Sequence, residues 1–192
     1  MRLDHVIYGT ADLDVAQARI ERELGLDVLA GGRHVGQGSH NRIVPLGDGY
    51  LELMAIHDPE EAATNPFGQV LLEVLAVERL VGWAVLVEDI EAVAERTGTP
   101  IYTVRRETLG ASVTGVQEAL REPTLPFFIG GNERGTRPGE ALDAGGLTWI
   151  EVAGDAGRLR DWLGGAELPV RVVEGRPAVR AIGIGEREFR PA

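Results

Sequence analysis

The chain has 192 residues, of which 44% are apolar, and its formal net charge is −11. This composition predicts a folded protein of one domain or two small ones, and the lack of clustered basic residues excludes nucleic acids and anionic membranes as partners. All 19 basic residues are arginine and cysteine is absent, which excludes lysine Schiff bases, disulfides and thiolate sites. With nucleic acids and anionic membranes excluded as partners, a small or neutral ligand is expected. No apolar run reaches the ~18 residues of a membrane span, so we expect a cytoplasmic protein.

The first part of the chain has the pattern of a strand, a helix and three further strands. Alternating apolar residues predict a strand over residues 3–8. The helix that follows is predicted to begin at its cap Asp12 and to run to Leu24, where Gly25 ends it. The three strands are predicted at residues 26–29, 40–46 and 50–56. A turn of glycine and aspartate joins the last two strands into a hairpin.

The last strand of this unit carries a carboxylate inside an apolar run. Because side chains alternate along a strand, Glu52 shares one face with Tyr50 and Met54. A buried or half-buried carboxylate needs polar partners. Glu52 is therefore predicted to line a pocket, although a solvent-facing position on the strand is the plainer interpretation.

Three of the four histidines lie between residues 31 and 57, beside two further polar residues. His34 lies in a glycine-rich loop and His40 begins a strand, so each is either an ordinary surface histidine or a ligand contact. Asn41 and Arg42 follow directly and are predicted to hydrogen-bond or clamp an anionic group of a ligand. His57 lies in the next loop and is assigned no role.

The same order of elements returns in a second unit. A linker helix is predicted over residues 66–80 and a strand over residues 81–87. A helix capped by Asp89 follows and is ended by Gly98, as Gly25 ends the first helix. Further strands are predicted at residues 101–106, 112–118 and 126–130.

A partial third unit is predicted near the end of the chain. A strand over residues 147–152 leads to a helix that Asp155 begins and a glycine pair ends. Two short strands, at residues 170–173 and 179–184, complete it. A long surface loop is predicted over residues 130–146. The expected organisation is a single domain of residues 1–192, with a first module at 1–57, a linker helix at 58–81, a second module at 82–131 and a C-terminal partial unit at 146–190.

Alignment of the three units places one histidine and two tryptophans in a single column. His5, Trp83 and Trp149 all lie near the starts of their strands. The two tryptophans are either core residues or, if their strand face lines the pocket, ligand-binding walls together with Phe128. Glu151 shares the predicted face of Trp149 and is a further candidate metal ligand, from the third unit.

Three stretches of sequence together resemble one known family. These are LDHVIYGTADLD at 3–14, GGRHVGQGSHNRIVPLGDGYLELMAI at 31–56 and LPFFIGG at 125–131. They are similar to the glyoxalase-like domain family of the vicinal oxygen chelate superfamily. The resemblance implies an α+β fold, in which paired βαβββ modules form open curved sheets around a concave pocket that holds a ligand or a metal.

The resemblance also implies a site. In metal-dependent members the first strand supplies a histidine and the fourth a glutamate, which here match His5 and Glu52. These two are the implied catalytic residues and the implied ligands of a divalent metal. The second module departs from the pattern, since Trp83 occupies the histidine column and the strand around Phe128 lacks a glutamate. Two ligands are one fewer than the three that a catalytic metal normally has, so we expect a weak or absent metal.

Three functions stay open at this point. The first is a metal-assisted lyase or isomerase that binds a small organic molecule in a sheet-lined pocket. The second is a non-catalytic protein that binds or sequesters such a molecule, and the third is a scaffold that has lost its site. The number of chains in the assembly is also open, with a homodimer as one option.

Overall fold

A computed structural model describes residues 1–106, 109–133 and 138–191. The first unit consists of β1 (Arg2–Gly9), α1 (Leu13–Leu24), β2 (Leu29–His34), β3 (Ser39–Pro45) and β4 (Tyr50–Ile56). The order of these elements confirms the prediction, but the position predicted for the second strand is wrong. β2 begins at Leu29 and continues through the glycine pair to His34, because the pair packs against the neighbouring strand instead of ending the pairing.

The second unit consists of α2 (Pro59–Ala63), α3 (Pro66–Val74), β5 (Arg79–Leu86), α4 (Ile90–Thr97), β6 (Ile101–Arg106), β7 (Leu109–Thr114), α5 (Val116–Arg121) and β8 (Phe127–Glu133). The linker is two helices, since Asn65 caps α3 and proline occupies its first turn. The strand predicted at 112–118 ends early. Gly115 adopts a left-handed conformation at φ 72°, and the helix-favouring residues after it form α5.

The third unit forms a separate, smaller sheet. It consists of a 3₁₀ turn (Pro138–Ala141), β9 (Leu147–Ala153), α6 (Ala156–Trp162), β10 (Val170–Val173), β11 (Ala178–Ile184) and β12 (Arg187–Phe189). The short strand β12 was not predicted. Of the loop predicted at 130–146, the first residues belong to β8, and residues 134–137 lie outside the described chain.

The capped helices of the first two units repeat as the sequence predicts. The side chains of Asp12 and Asp89 accept backbone hydrogen bonds at the starts of α1 and α4. Gly25 and Gly98 end the same helices with φ of 63° and 68°, a conformation that costs glycine little. None of the helices in the described ranges is long and apolar enough to cross a bilayer.

The first two units build one eight-stranded sheet in the order β2-β3-β4-β1-β5-β8-β7-β6. β1 lies at the centre, parallel to β4 and antiparallel to β5, and so joins the halves. The sheet curls, and its outer strands β2 and β6 come near each other. The small sheet has the order β10-β9-β11-β12. This architecture confirms the predicted α+β fold of two paired modules with a partial third unit.

The large sheet has two different faces. We call the face that carries His5, Ile7 and Met54 the site face, and α3 and α5 cover part of it with leucine side chains. We call the opposite face, which carries Val6 and Tyr8, the packed face. It is covered by α1, α4, α6 and the small sheet. Each large apolar side chain buried in these layers contributes about 1.5–3 kcal/mol to folding.

Candidate functional site

Six polar side chains are buried together on the first half of the large sheet. None of the six is more than 6% exposed. They come from strands β1 to β4, and we call them the polar cluster: Asp4, His5, His34, Ser39, Asn41 and Glu52. Burial of so many polar groups is costly unless they pair with one another, and their contacts define the site.

A bulge in β1 brings two consecutive polar residues into the cluster. Leu3 lies opposite Val85 and His5 opposite Ala84, so Asp4 is an extra residue that interrupts the alternation. Its carboxylate oxygen Oδ2 lies 2.8 Å from Nδ1 of His5. The other ring nitrogen, Nε2, therefore faces away from Asp4. It lies 3.6 Å from Oε2 of Glu52.

Asn41 holds the carboxylate of Glu52 from the side opposite His5. Its side-chain oxygen accepts a hydrogen bond of 2.9 Å from the backbone N–H of Gly32, which orients the amide. The amide nitrogen of Asn41 then donates to Oε1 of Glu52. A Cβ on Gly31 would lie 2.1 Å from the Asn41 side-chain oxygen, so this position requires glycine. The glycine pair of β2 thus makes room for Asn41.

A second imidazole reaches Glu52 from β2. Nε2 of His34 lies 3.6 Å from Oε1 of Glu52, and Nδ1 of His34 lies 2.9 Å from the Ser39 hydroxyl. His34 and Ser39 flank a tight turn whose backbone N–H groups at Gly36 and Gly38 donate to the Glu61 carboxylate at 2.9 and 3.0 Å. α2 therefore fixes the turn, and the turn positions both polar side chains.

Two aromatic rings enclose His5. The ring of Tyr50 stacks on the imidazole with centroids 4.5 Å apart, and Phe127 approaches it edge-on at 5.3 Å. Phe127 belongs to β8, so it brings the second half of the sheet to the site. Apolar neighbours of this kind exclude water and strengthen the electrostatic interactions inside the cluster.

His40 lies on the other face of β3 from Asn41. Its ring lies 5.3 Å from that of His57, centroid to centroid. Partial burial lowers the pKa of His40, and the nearby His57, Arg33 and Arg42 lower it further. The structure does not bring His40 or His57 into the polar cluster.

Arg42 lies on the packed face and braces α1. Its guanidinium donates to the side-chain oxygen of Gln17 at 2.6 Å and to the carboxylate of Asp14 at 2.5 Å. It therefore ties β3 to the helix that covers it. The predicted contact of Arg42 with an anionic ligand is not supported by this position, since its donors face the helix.

Trp83 and Phe128 lie on the packed face, away from His5. The predicted column is displaced by one residue, because Ala84 and not Trp83 pairs with His5. Likewise Phe127, not Phe128, faces the site. Trp83 and Phe128 are both fully buried in the core against α6 and the small sheet. One step along a strand turns a side chain to the other face.

The two candidate site residues of the third unit, Trp149 and Glu151, lie in the small sheet. Trp149 is half-buried there, and the guanidinium of Arg171 lies 4.1 Å from its ring centre. Glu151 accepts a hydrogen bond of 2.8 Å from Arg190, which lowers the pKa of the carboxyl. The structure brings neither Trp149 nor Glu151 to His5 and Glu52.

Comparisons with known proteins agree with this architecture. The sequence profile of the glyoxalase-like domain family matches residues 3–165. The chain belongs to the glyoxalase-like domain family. No curated protein matches the sequence.

Solved structures resemble this chain at low sequence identity. A hypothetical protein from Staphylococcus aureus has a TM-score of 0.73 at 14% identity, with 98% of each chain covered. A hypothetical protein from Bacillus halodurans has a TM-score of 0.50 at 15% identity, over 70% of this chain and 97% of the other. The methylmalonyl-CoA epimerase from Mycobacterium tuberculosis has a TM-score of 0.47 at 22% identity, over 67% of this chain and 85% of the other.

The described donors do not complete the metal site that the resemblance to metal-dependent members implies. Nε2 of His5 and Oε2 of Glu52 face each other and suit a divalent ion. His34 approaches the other oxygen of Glu52, Oε1, and the amide nitrogen of Asn41 contacts both that oxygen and Nε2 of His34, at 3.4 Å from the latter. Within the described ranges, no three His, Cys, Asp or Glu residues are grouped to hold a metal.

Several residues of the site were not predicted. Asp4 and Ser39 are next in sequence to the predicted residues His5 and His40 but were not predicted themselves. The alternating pattern of a strand does not show that a bulge turns Asp4 toward His5. Phe127 was missed because the two phenylalanines of β8 are adjacent and the alignment selected the wrong one. The glycine pair Gly31-Gly32 is the one local signal of this site, because glycines inside a strand often mark a close approach to the backbone. Here the side chain of Asn41 makes that approach.

Proposed function

We propose that this protein binds a small organic molecule at the site face and catalyses proton transfer. It would remove a proton from one atom of the substrate and deliver a proton to another, as an isomerase or a lyase does. Glu52 is the base and His5 its acid partner. The observation that supports this proposal most directly is the buried row formed by Asp4, His5 and Glu52, with 2.8 Å and 3.6 Å between successive groups.

The row gives each member a separate task. Asp4 holds Nδ1 of His5, so Nε2 is the nitrogen that takes up and releases a proton, and it faces Glu52. When the proton is on the imidazole, Glu52 is an ionised base beside an acid. General acid–base catalysis needs such a pair within reach of one substrate.

The balance of protons follows from this pair. Glu52 removes a proton from one carbon of the substrate, and His5 delivers a proton to a second substrate atom. The proton on Glu52 then returns to His5, which restores the resting state without net gain or loss. Asn41 positions the carboxylate throughout, since its amide is fixed by Gly32.

A non-catalytic binding protein is the second candidate. The observation that favours it is that, in the described part of the chain, each buried side-chain nitrogen and oxygen has a hydrogen-bond partner. A cluster that satisfies itself makes a stable polar wall for a ligand without any chemistry.

The test combines binding with proton exchange. Small carbonyl and carboxyl compounds are screened by thermal shift, and those that stabilise the protein are followed in D₂O by NMR for exchange of their C–H protons. We expect exchange with the native protein, and its loss in Glu52→Gln with binding retained, because Gln keeps the shape and the contact to Asn41 but cannot take a proton.

Two further outcomes separate the alternatives. Binding without exchange in the native protein would favour the non-catalytic candidate. Exchange that persists unchanged in Glu52→Gln would contradict the assignment of the base. The same assay with added divalent ions, and after chelation, tests the predicted weak or absent metal.

A further inference from the structure

We propose that a cleft at the other end of β5 binds a small organic anion. The cleft lies between the ends of α3 and α5 and the start of β11, and its volume is about 610 Å³. Binding sites for small molecules commonly have volumes of about 300–1,000 Å³. Arg79, in this cleft, begins β5 five residues before Ala84, the partner of His5. At ~3.4 Å per residue the cleft is ~17 Å from the polar cluster, so it is a separate site.

Three arginines from three different segments line the cleft. Arg79 begins β5, Arg121 ends α5 and Arg180 belongs to β11, while Glu73 is the one acidic residue of the lining. Three positive charges and one negative charge give the lining a formal charge of +2, although the whole chain has −11. Arginine guanidinium groups bind phosphate and carboxylate groups with paired hydrogen bonds.

Acidic residues next to these arginines in sequence are bound elsewhere. Glu78 lies 3.4 Å from Nη1 of Arg19, and Glu122 accepts two hydrogen bonds from Arg158 at 2.7 and 2.8 Å. Among the described residues, the three cleft arginines form no ion pair. All three arginines are exposed at the lining of the cleft, so their charge is available to an anion from solution.

The rest of the lining is apolar. Leu80, Leu120 and Val179 contribute to it, as do three prolines, which have no backbone N–H to offer. An inorganic ion alone would leave this apolar surface in contact with water. The lining therefore fits an amphiphilic anion, in which an aliphatic or aromatic body carries a phosphate or carboxylate head.

The experiment compares three probes that share one apolar chain. Octyl phosphate, octanoate and octanol are titrated into the full chain by calorimetry at fixed ionic strength. We expect both anions to bind saturably, with octanol at least about tenfold weaker, since a charge-assisted contact of ~1.4 kcal/mol corresponds to this factor. The tighter of the two anions identifies the preferred head group.

Variants locate the binding in the cleft. Arg121→Gln and Arg180→Gln should each weaken the preferred anion about five- to tenfold and leave octanol unchanged. Arg160→Gln is the matched control, because Arg160 is exposed on α6 and outside the cleft. His5→Ala should also have no effect, which separates this site from the proposed acid–base site. Absence of saturable binding, equal binding of octanol, or equal weakening in Arg160→Gln would overturn the proposal.

Discussion

The two halves of the large sheet have the same order of elements but opposite chemistry on the site face. In the first half this face carries His5, Asn41 and Glu52. In the second half the buried residues on it are apolar, and Ala84 and Phe127 lie where the first half is polar. The two halves thus share the order of their backbone elements but differ in their side chains on the site face, which are polar in the first half and form an apolar wall in the second.

This difference explains why a ligand set spread over two modules is not found among the described residues. A polar residue in the second half would have to replace part of a packed wall. Ala84 is fully buried between β1 and β8, so a larger ligand residue there would have to displace packed neighbours.

The largest effect is expected from a cavity in the apolar half. Phe127→Ala should lower the free energy of unfolding by about 3–4 kcal/mol, because Phe127 is only 5% exposed and its ring packs against His5. Denaturant unfolding measures this loss. Tyr102→Ala on β6 is the control, since Tyr102 is 45% exposed and should change stability by less than about 0.5 kcal/mol. A small loss for Phe127→Ala would mean that the second half is not a packed wall.

The polar half should respond to the loss of its central acceptor. Glu52→Leu should cost about 1–3 kcal/mol, because the Asn41 amide loses the carboxylate that it donates to. Glu52→Gln, which keeps an oxygen acceptor, should cost less. If Glu52→Leu instead stabilised the protein, the strain of burying a charge would outweigh its contacts, which is the pattern expected of a site kept for function.

The two helix ends test how alike the halves remain outside the site. Gly25→Ala and Gly98→Ala should each cost about 1 kcal/mol, because both glycines have left-handed backbones and nothing lies within 4 Å of either added Cβ. Gly110→Ala on β7 is the control, since its Cβ also meets nothing and its φ lies outside the left-handed region. Unequal costs at Gly25 and Gly98 would show that the two caps are not equivalent.

The smallest effect concerns pH and His40 in the first half. Its pKa is lowered in the folded state, chiefly by burial and then by His57, so the unfolded chain binds a proton more readily. Stability should therefore fall as pH decreases below the ordinary histidine pKa. The slope should be shallower in His40→Gln, measured by thermal unfolding at a series of pH values. Identical slopes would show that His40 does not contribute.

Much of the fold followed from the sequence because its signals are local. The Asp12 and Asp89 caps and the glycines that end both helices need only neighbouring residues, and these are the features the structure confirms. Gly115 was a local signal as well, and the helix after it was missed because valines on both sides favoured a strand.

The site was less predictable because it depends on register between distant strands. The sequence drew attention to His5 and Glu52, which the structure brings to 3.6 Å, but not to the partners that orient them. The bulge at Asp4 arises from pairing with β5, nearly eighty residues away, and no local pattern reports it. The same uncertainty of one residue assigned Trp83 and Phe128 to the site face, whereas both lie on the packed face.

The central place of β1 also has a consequence for how the protein folds. β1 precedes both of its neighbours in the chain, and its pairing with β5 joins residues such as Arg2 and Leu86. Both partners of β1 lie much later in the sequence, so β1 can pair only when the long intervening chain closes into a loop. Closing such a loop is entropically costly. Folding is therefore expected to be slow for a chain of this size, with the hairpin of β3 and β4 formed before the sheet closes around β1.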